Sequence, residues 1–170
     1  TTFLGPDGVP LLSTVHPTMV GVTSNRLATD AAFGYQSLAD MIQLNGFIVS
    51  DRGNPAVVPG PYLVVGSYKN RDRMKRVVGS PMVADNANNS KNAAKDDIDS
   101  IHINPYLSSV QDYWWLIDKS MNPIFLMERI ALFSDEDYDM DTFVHKFGLA
   151  EEYIASFEDF RGVSGTTGAG

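Results

Sequence analysis

The stretch "LLSTVHPTMVG", residues 11 to 21, sets Ser13 three positions before His16. A hydroxyl beside an imidazole is the start of nucleophilic catalysis, in which the ring takes the proton of the attacking oxygen and an acid orients the ring. No G-x-S-x-G elbow surrounds Ser13. His16 precedes Pro17, which biases it to extended backbone. The expectation is therefore a strand end whose hydroxyl and imidazole satisfy local backbone groups, with a serine-type hydrolase using Ser13 and His16 as the alternative. His102 alternates with Ser100 and Asn104 and is expected at the surface. His145 lies between Phe143 and Phe147 and is expected as a satisfied core residue. Three scattered histidines make no H-E-x-x-H zinc site. No metal or cofactor is expected.

Two charge clusters remain. "SDEDYDMD", residues 134 to 141, tempts towards calcium, but an EF-hand loop from Asp135 needs glycine sixth and glutamate twelfth, where the chain has Met140 and Lys146. A solvated acidic turn, or an acidic patch meeting a basic partner surface, is expected instead. "RDRMKR", residues 71 to 76, is the one basic cluster. It is read as a solvated helix face, with phosphate contact or pairing with the acidic turn of a neighbouring subunit as alternatives. Trp114 and Trp115 are adjacent, so on a strand they face opposite sides. One fills a core. The other needs a second surface, either the far face of a sheet or an interface.

Composition bounds what these residues can belong to. The chain has 170 residues, 44% hydrophobic and 20% charged, which fits an ordinary globular protein able to bury a core. It has no cysteine, which excludes a disulfide framework and a thiolate nucleophile. A net charge of −8 argues against a general nucleic-acid binder. No apolar run reaches the length of a membrane span. No signal peptide is read. The start at Thr1, without methionine, is read as a piece of a longer protein.

The elements follow from punctuation and period. Two short extended runs flank a turn at Gly5-Pro6-Asp7-Gly8, and residues 17 to 29 read as loop. Asp30 is the candidate cap of a helix carrying Tyr35, Leu38, Met41, Ile42 and Leu44, ending at Gly46 or running on through Val49. "SDRGNP" is a turn, "PYLVVGS" a buried strand, and "YKNRDRMKRVV" a helix ending at Gly79-Ser80-Pro81. Residues 85 to 97 read as an exposed polar loop. "IDSIHIN" alternates as a strand, and "YWWLIDKSMNPIFLME" as two strands turning at Lys119 to Pro123. From Phe143 to Phe157 the odd positions are mostly apolar, which predicts a long half-buried strand, with a helix over Leu149 to Phe157 as the alternative. The tail "SGTTGAG" reads as flexible. A domain with mobile loops and split charge patches suits a structural or binding protein better than an enzyme.

Four stretches resemble a family. "DGVPLLSTVHPTMVGVTSN" resembles the D-G-x-x-L-F-S-x-x-H-P…G-G-x-x-S-N segment of phage major capsid proteins of the Mu-like major head subunit group. "SDRGNPAVVPGPYLVVGS", "IHINPYLSSVQDYWWLID" and "DMDTFVHKFGLAEEYIASFEDFRGVSG" resemble later segments of that family, in the same order. The chain departs in its helix around Leu38, which lacks Glu/Ala richness, in the acidic "FGLAEEY", and in Pro59 to Pro61. The resemblance implies an α+β chain of the Hong-Kong-97-like capsid fold. Residues 1 to 19 would leave a spine region, 20 to 122 form the axial domain with a sheet flanked by helices, 123 to 165 form peripheral-domain strands, and 166 to 170 a flexible tail. It implies a structural, non-enzymatic subunit of a tailed-phage or prophage head, self-assembling into hexamers and pentamers of an icosahedral shell. Partners would be further copies of itself, scaffold, portal and decoration proteins, and encapsidated DNA held without sequence recognition. The location would be the virion, after assembly in the host cytoplasm and without a membrane. An encapsulin-type cellular shell is a further alternative on the same fold. Candidate inter-subunit contacts are Arg71, Arg73, Lys75, Arg76, Asp135, Asp137, Asp139, Trp115 and the loop 85 to 97.

Overall fold

The run Tyr62 to Val65 is apolar on both sides of the backbone, as a strand in the middle of a covered sheet must be. In the computed structural model it forms strand β3 (Tyr62–Ser67). The structure describes residues 4–56, 60–83, 90–107 and 112–168. Earlier in the chain come β1 (His16–Thr18), β2 (Gly21–Thr23) and helix α1 (Tyr35–Gly46). After β3 a single 3-10 turn leads into α2 (Arg71–Gly79). Then come α3 (Ala94–Asp97), β4 (Ile98–Asn104), β5 (Trp114–Asp118), β6 (Ile124–Asp139), β7 (Val144–Phe157) and β8 (Val163–Thr166). The whole is a mixed α+β fold, mostly strands with a few helices. Among the described residues no helix is long and apolar enough to cross a membrane.

The chain divides into two compact units, one of the residues up to Pro123 with those from Glu158 on, the other Ile124–Phe157. The first is built on a four-stranded sheet in the order β4-β3-β5-β8, with β3 and β4 parallel and the other pairs antiparallel. Tyr62 and Val64 of β3 and Trp114 and Leu116 of β5 share one sheet face and are fully buried. Leu38 and Met41 of α1, Met74, Val77 and Val78 of α2, and Ala94 of α3 complete this core. The Phe33 ring meets Trp114 edge-on at 5.1 Å, and Trp114 Nε1 donates to the Ala31 carbonyl at 3.0 Å, so the large indole is anchored as well as packed. The opposite face carries Leu63, Val65, Trp115 and Ile117, all half-buried.

Several expectations are corrected. Helix α1 starts at Tyr35, not after Asp30, with Gly34 before it and Ser37 Oγ accepting the Gly34 N–H at 2.9 Å. Asp30 is drawn away by Arg26 and the C-terminal residues. The helix ends at Gly46, and Val49 instead forms a bridge with Pro55. The stretch after His16 is a short β1–β2 hairpin, not plain loop. Of the loop 85 to 97, residues 85–89 lie outside the described residues, Ala94–Asp97 is helical, and Asn92 is buried, its Nδ2 donating to the Val77 carbonyl at 2.6 Å. The tail is the largest correction. Val163–Thr166 is a buried strand pairing with β5. Thr166 and Gly168 are buried too, while 169–170 lie outside the described residues.

Glycine is what lets β8 lie there. Gly165 pairs with Trp115, and a Cβ at 165 would overlap the Trp115 ring edge. Gly165→Ala is expected to lower stability by about 1–3 kcal/mol through overpacking. Gly148→Ala, whose Cβ would meet its nearest neighbour at an ordinary 3.8 Å, should stay within about 0.5 kcal/mol. Urea unfolding of both variants checks this.

Candidate functional site

His16 is fully buried, which a histidine at a solvated strand end would not be. Its ring stacks on Phe160 with centroids 3.7 Å apart and planes 3° from parallel. Its nitrogens meet side chains, not the backbone groups expected from the sequence. Nδ1 lies 2.6 Å from Asp7 Oδ2 and Nε2 lies 3.1 Å from Asn25 Oδ1. The orientation of Asn25 is fixed independently. Its Nδ2 is within donating distance of the carbonyls of Leu11 (2.6 Å), Val163 (2.8 Å) and Phe160 (3.3 Å), so Oδ1 must be the acceptor. That oxygen also accepts the Ser13 N–H at 2.9 Å. Nε2 of His16 faces that same oxygen and Nδ1 faces the Asp7 carboxylate, so side chains engage both ring nitrogens.

The Asp7 carboxyl feels opposing influences. Burial acts to raise it, but hydrogen bonds from the His16 ring and the Val9 N–H outweigh this and hold it below its ordinary value. Asp7 is in place because Gly8, at φ +74°, closes the Gly5-Pro6-Asp7-Gly8 turn, in which the Gly8 N–H donates to the Gly5 carbonyl at 3.0 Å.

Ser13 Oγ accepts the Val15 N–H at 3.2 Å, a local turn contact. His16 has no nitrogen left to act as its base. The two residues of the candidate catalytic pair thus sit close in sequence but serve separate hydrogen bonds.

Two further networks join the same region. Asp30 accepts from Arg26 at 2.6 Å, from Thr166 Oγ1 at 2.9 Å and from the Thr167 N–H at 3.3 Å. Arg26, then Thr167, hold its carboxyl well below the usual range. Arg161 donates to Asp159 at 2.8 Å, to Asp51 at 2.6 Å and to the Val49 carbonyl at 3.1 Å, with its guanidinium over the Phe160 ring. Phe160 is thus held between His16 and Arg161. Nothing in the sequence flagged Asp30, Asp51 or Arg161 as joining these segments. The available signal was that Asp7, His16, Asn25, Asp51 and Arg161 all fall inside the stretches carrying the family resemblance.

The candidate contact residues lie elsewhere. Arg71, Arg73, Lys75 and Arg76 are on α2. Arg71 is half-buried, pairing with Asp72 at 3.0 Å. The other three are exposed, Arg73 and Arg76 on one flank and Lys75 with Asp72 on the other. Trp115 lies half-buried on the sheet face away from the helices, edge-on to Tyr113.

Asp135, Asp137 and Asp139 are not in a turn, as expected, but at the far end of β6. The turn is 140 to 143, and Asp139 caps it by accepting the Asp141 and Thr142 N–H groups at 3.1 and 3.3 Å. Hydrogen bonds from Thr142 and Asp141 lower its carboxyl.

Strands β6 and β7 form the second unit, a two-stranded antiparallel hairpin. The long strand over 143 to 157 is present, but it is not half-buried. Phe147 is 70% and Leu149 75% exposed, and Leu126, Leu132, Phe133, Tyr153 and Ile154 are exposed as well. His145 is no core residue either. It is exposed, 3.7 Å from Glu136 and tilted against Phe147 at 4.3 Å. Alternation was legible, but a two-stranded hairpin by itself has no second layer to cover its apolar positions. Beyond the bulges near Ile130, the hairpin separates its chemistry by face. Glu136, Tyr138, His145, Phe147 and Leu149 share one side, and Asp135, Asp137, Asp139 and Lys146 the other.

Asn25→Ala removes an amide oxygen and an NH2 group that together face five partners, three of them buried, and is expected to destabilise by about 2–4 kcal/mol, against under about 1 kcal/mol for Ser13→Ala. Denaturant unfolding of the two variants measures the difference. The pH dependence has a definite sign. Asp7 and Asp30 are depressed in the folded state, so the stability they contribute is complete above the unfolded carboxyl value of about 4 and is lost as pH falls through that value towards the folded one. The melting temperature should drop below about pH 4, and Asp30→Asn should flatten that drop while lowering the neutral-pH plateau.

No protein-family model matches this chain, and no curated protein matches it.

Proposed function

We propose that this chain is part of a structural subunit that assembles with copies of itself, in the manner of a tailed-phage major capsid protein of the Hong-Kong-97-like fold. The observation that carries this is the hairpin Ile124–Phe157. A two-stranded hairpin is marginal in water on its own. This one has strands of 16 and 14 residues, pairs with no other strand among the described residues, and exposes large apolar side chains along both strands. Long exposed edges and apolar surface are a liability unless another surface covers them. An assembling subunit resolves that conflict, and an independently acting enzyme does not.

The resemblance supports the same conclusion. The first and last of the segments that carry it meet in contacts around Asn25 and Phe160, as expected of a fold-determining pattern and not of a catalytic one. On this reading the four-stranded sheet with its helices belongs to the axial domain and the hairpin to the peripheral domain. The subunit packages DNA without reading sequence, in a virion. The hydrolase alternative has less support, because both nitrogens of His16 are engaged by Asp7 and Asn25.

Expression of the intact protein and negative-stain electron microscopy test the proposal. Closed shells of uniform diameter are the expected outcome. A monodisperse small species that persists when scaffold and portal proteins are supplied would overturn it.

A further inference from the structure

The charge of this protein is unevenly divided. The hairpin Ile124–Phe157 holds eight carboxylates, Glu128, Asp135, Glu136, Asp137, Asp139, Asp141, Glu151 and Glu152, against Arg129 and Lys146, a net −6 of the chain's −8. Residues 68 to 79, covering α2, hold Lys69, Arg71, Arg73, Lys75 and Arg76 against Asp72, a net +4. Asp135 and Asp137 on β6 and Arg73 and Arg76 on α2 lie on regular elements that fix their direction. Asp135 and Asp137 stand on one face of β6, about 6.8 Å apart along the strand. Arg73 and Arg76 stand on one exposed flank of α2, about 4.5 Å apart along the axis.

We propose that the acidic face of the hairpin, centred on Asp135 and Asp137, docks on the Arg73–Arg76 flank of α2 in a second copy of this chain. This rests on the reading of the protein as a self-assembling subunit and adds which surfaces meet and with what symmetry. Contact between like surfaces is disfavoured, since two hairpins bring −6 against −6 and two α2 segments +4 against +4. Opposite surfaces attract only at contact range in physiological salt, where the screening length is about 8 Å. The charge division therefore selects a head-to-tail contact between different surfaces. Repeated with a rotation that closes, that contact generates a ring. The aromatic face with Tyr138, Phe147 and Leu149 is turned away from this contact and stays available for apolar cover.

Complementary charge reversal in the intact protein tests the contact. One variant carries Asp135→Lys and Asp137→Lys, sparing Asp139 because it caps the turn. The other carries Arg73→Glu and Arg76→Glu. Circular dichroism and thermal melting establish that each is folded, and sedimentation with electron microscopy reads assembly.

Each variant alone should self-associate at least tenfold more weakly than the unaltered protein. An equimolar mixture should recover assembly, because each supplies the surface the other has lost. Assembly of the unaltered protein should weaken from 50 to 500 mM salt, a range of about tenfold in ionic strength. Assembly by both variants at the unaltered level, or a loss that mixing does not recover, would overturn this contact while leaving the capsid reading in place. An unaltered protein that stays monomeric at low salt would overturn both.

Discussion

The first unit depends on one buried amide. Asn25 spans three carbonyls with its nitrogen, two donors with its oxygen, and the Gly165 N–H with its own carbonyl. These partners come from residues 11 to 16 and 160 to 165, segments more than 130 residues apart along the chain in the longest case. Carbonyls and N–H groups buried in that region need partners, and no regular ladder supplies them, because the chain there is turn, short strand and single helical turn. One side chain with both donors and acceptors answers the need. Its fixed orientation then presents an acceptor to His16 Nε2, while Asp7 meets the other ring nitrogen. A purely apolar residue at 25 would leave several buried groups unpartnered at once, so the polar node is a condition for β8 to occupy the sheet edge.

The second unit obeys the opposite logic. Unit one buries Trp114, Tyr62, Phe33 and Leu38 completely and so has its own core. The hairpin has ladder hydrogen bonds and cross-strand pairs, such as Arg129 with Glu152 at 2.7 Å, but little within it is buried. Exposed ion pairs of this kind contribute at most about 1 kcal/mol. They can set register, but they cannot replace a core. What holds register against slippage is the alternation itself, since a one-residue shift would exchange the aromatic and acidic faces.

How much of this was legible in the sequence depended on whether the cause was local. Helices α1 and α2 and strand β4 could be read because their apolar residues recur at the period of the element, and β3 and β5 because each is a short continuous apolar run, with Gly, Pro or Asn in the turns between. Strand β8 could not. "VSGT" is small and polar, and it reads as tail until one sees that Trp115 lies against it and leaves room only for glycine at 165. Asp30 looked like a helix cap because it precedes an apolar periodic run. Its real partners, Thr166 and Thr167, are about 136 residues away and no local rule could weigh them. His145 was misjudged for a related reason. Period-two patterning says that a face is meant to be covered, but not whether the cover belongs to the same chain.

That last point separates what folding and assembly ask of this sequence. Asn25, His16, Asp30 and Arg161, which close the first unit, find their hydrogen-bond partners within the chain. Residues of the hairpin are satisfied only in part, and its stretch "FGLAEEY" adds two carboxylates, Glu151 and Glu152. The carboxylates of that stretch are not the ones on the proposed contact face. Glu151 shares the side of β7 that carries Phe147 and Leu149, and Glu152 pairs with Arg129 across the strands. The proposed contact with α2 therefore falls to Asp135 and Asp137 of β6, and it leaves the aromatic side of the hairpin for apolar cover.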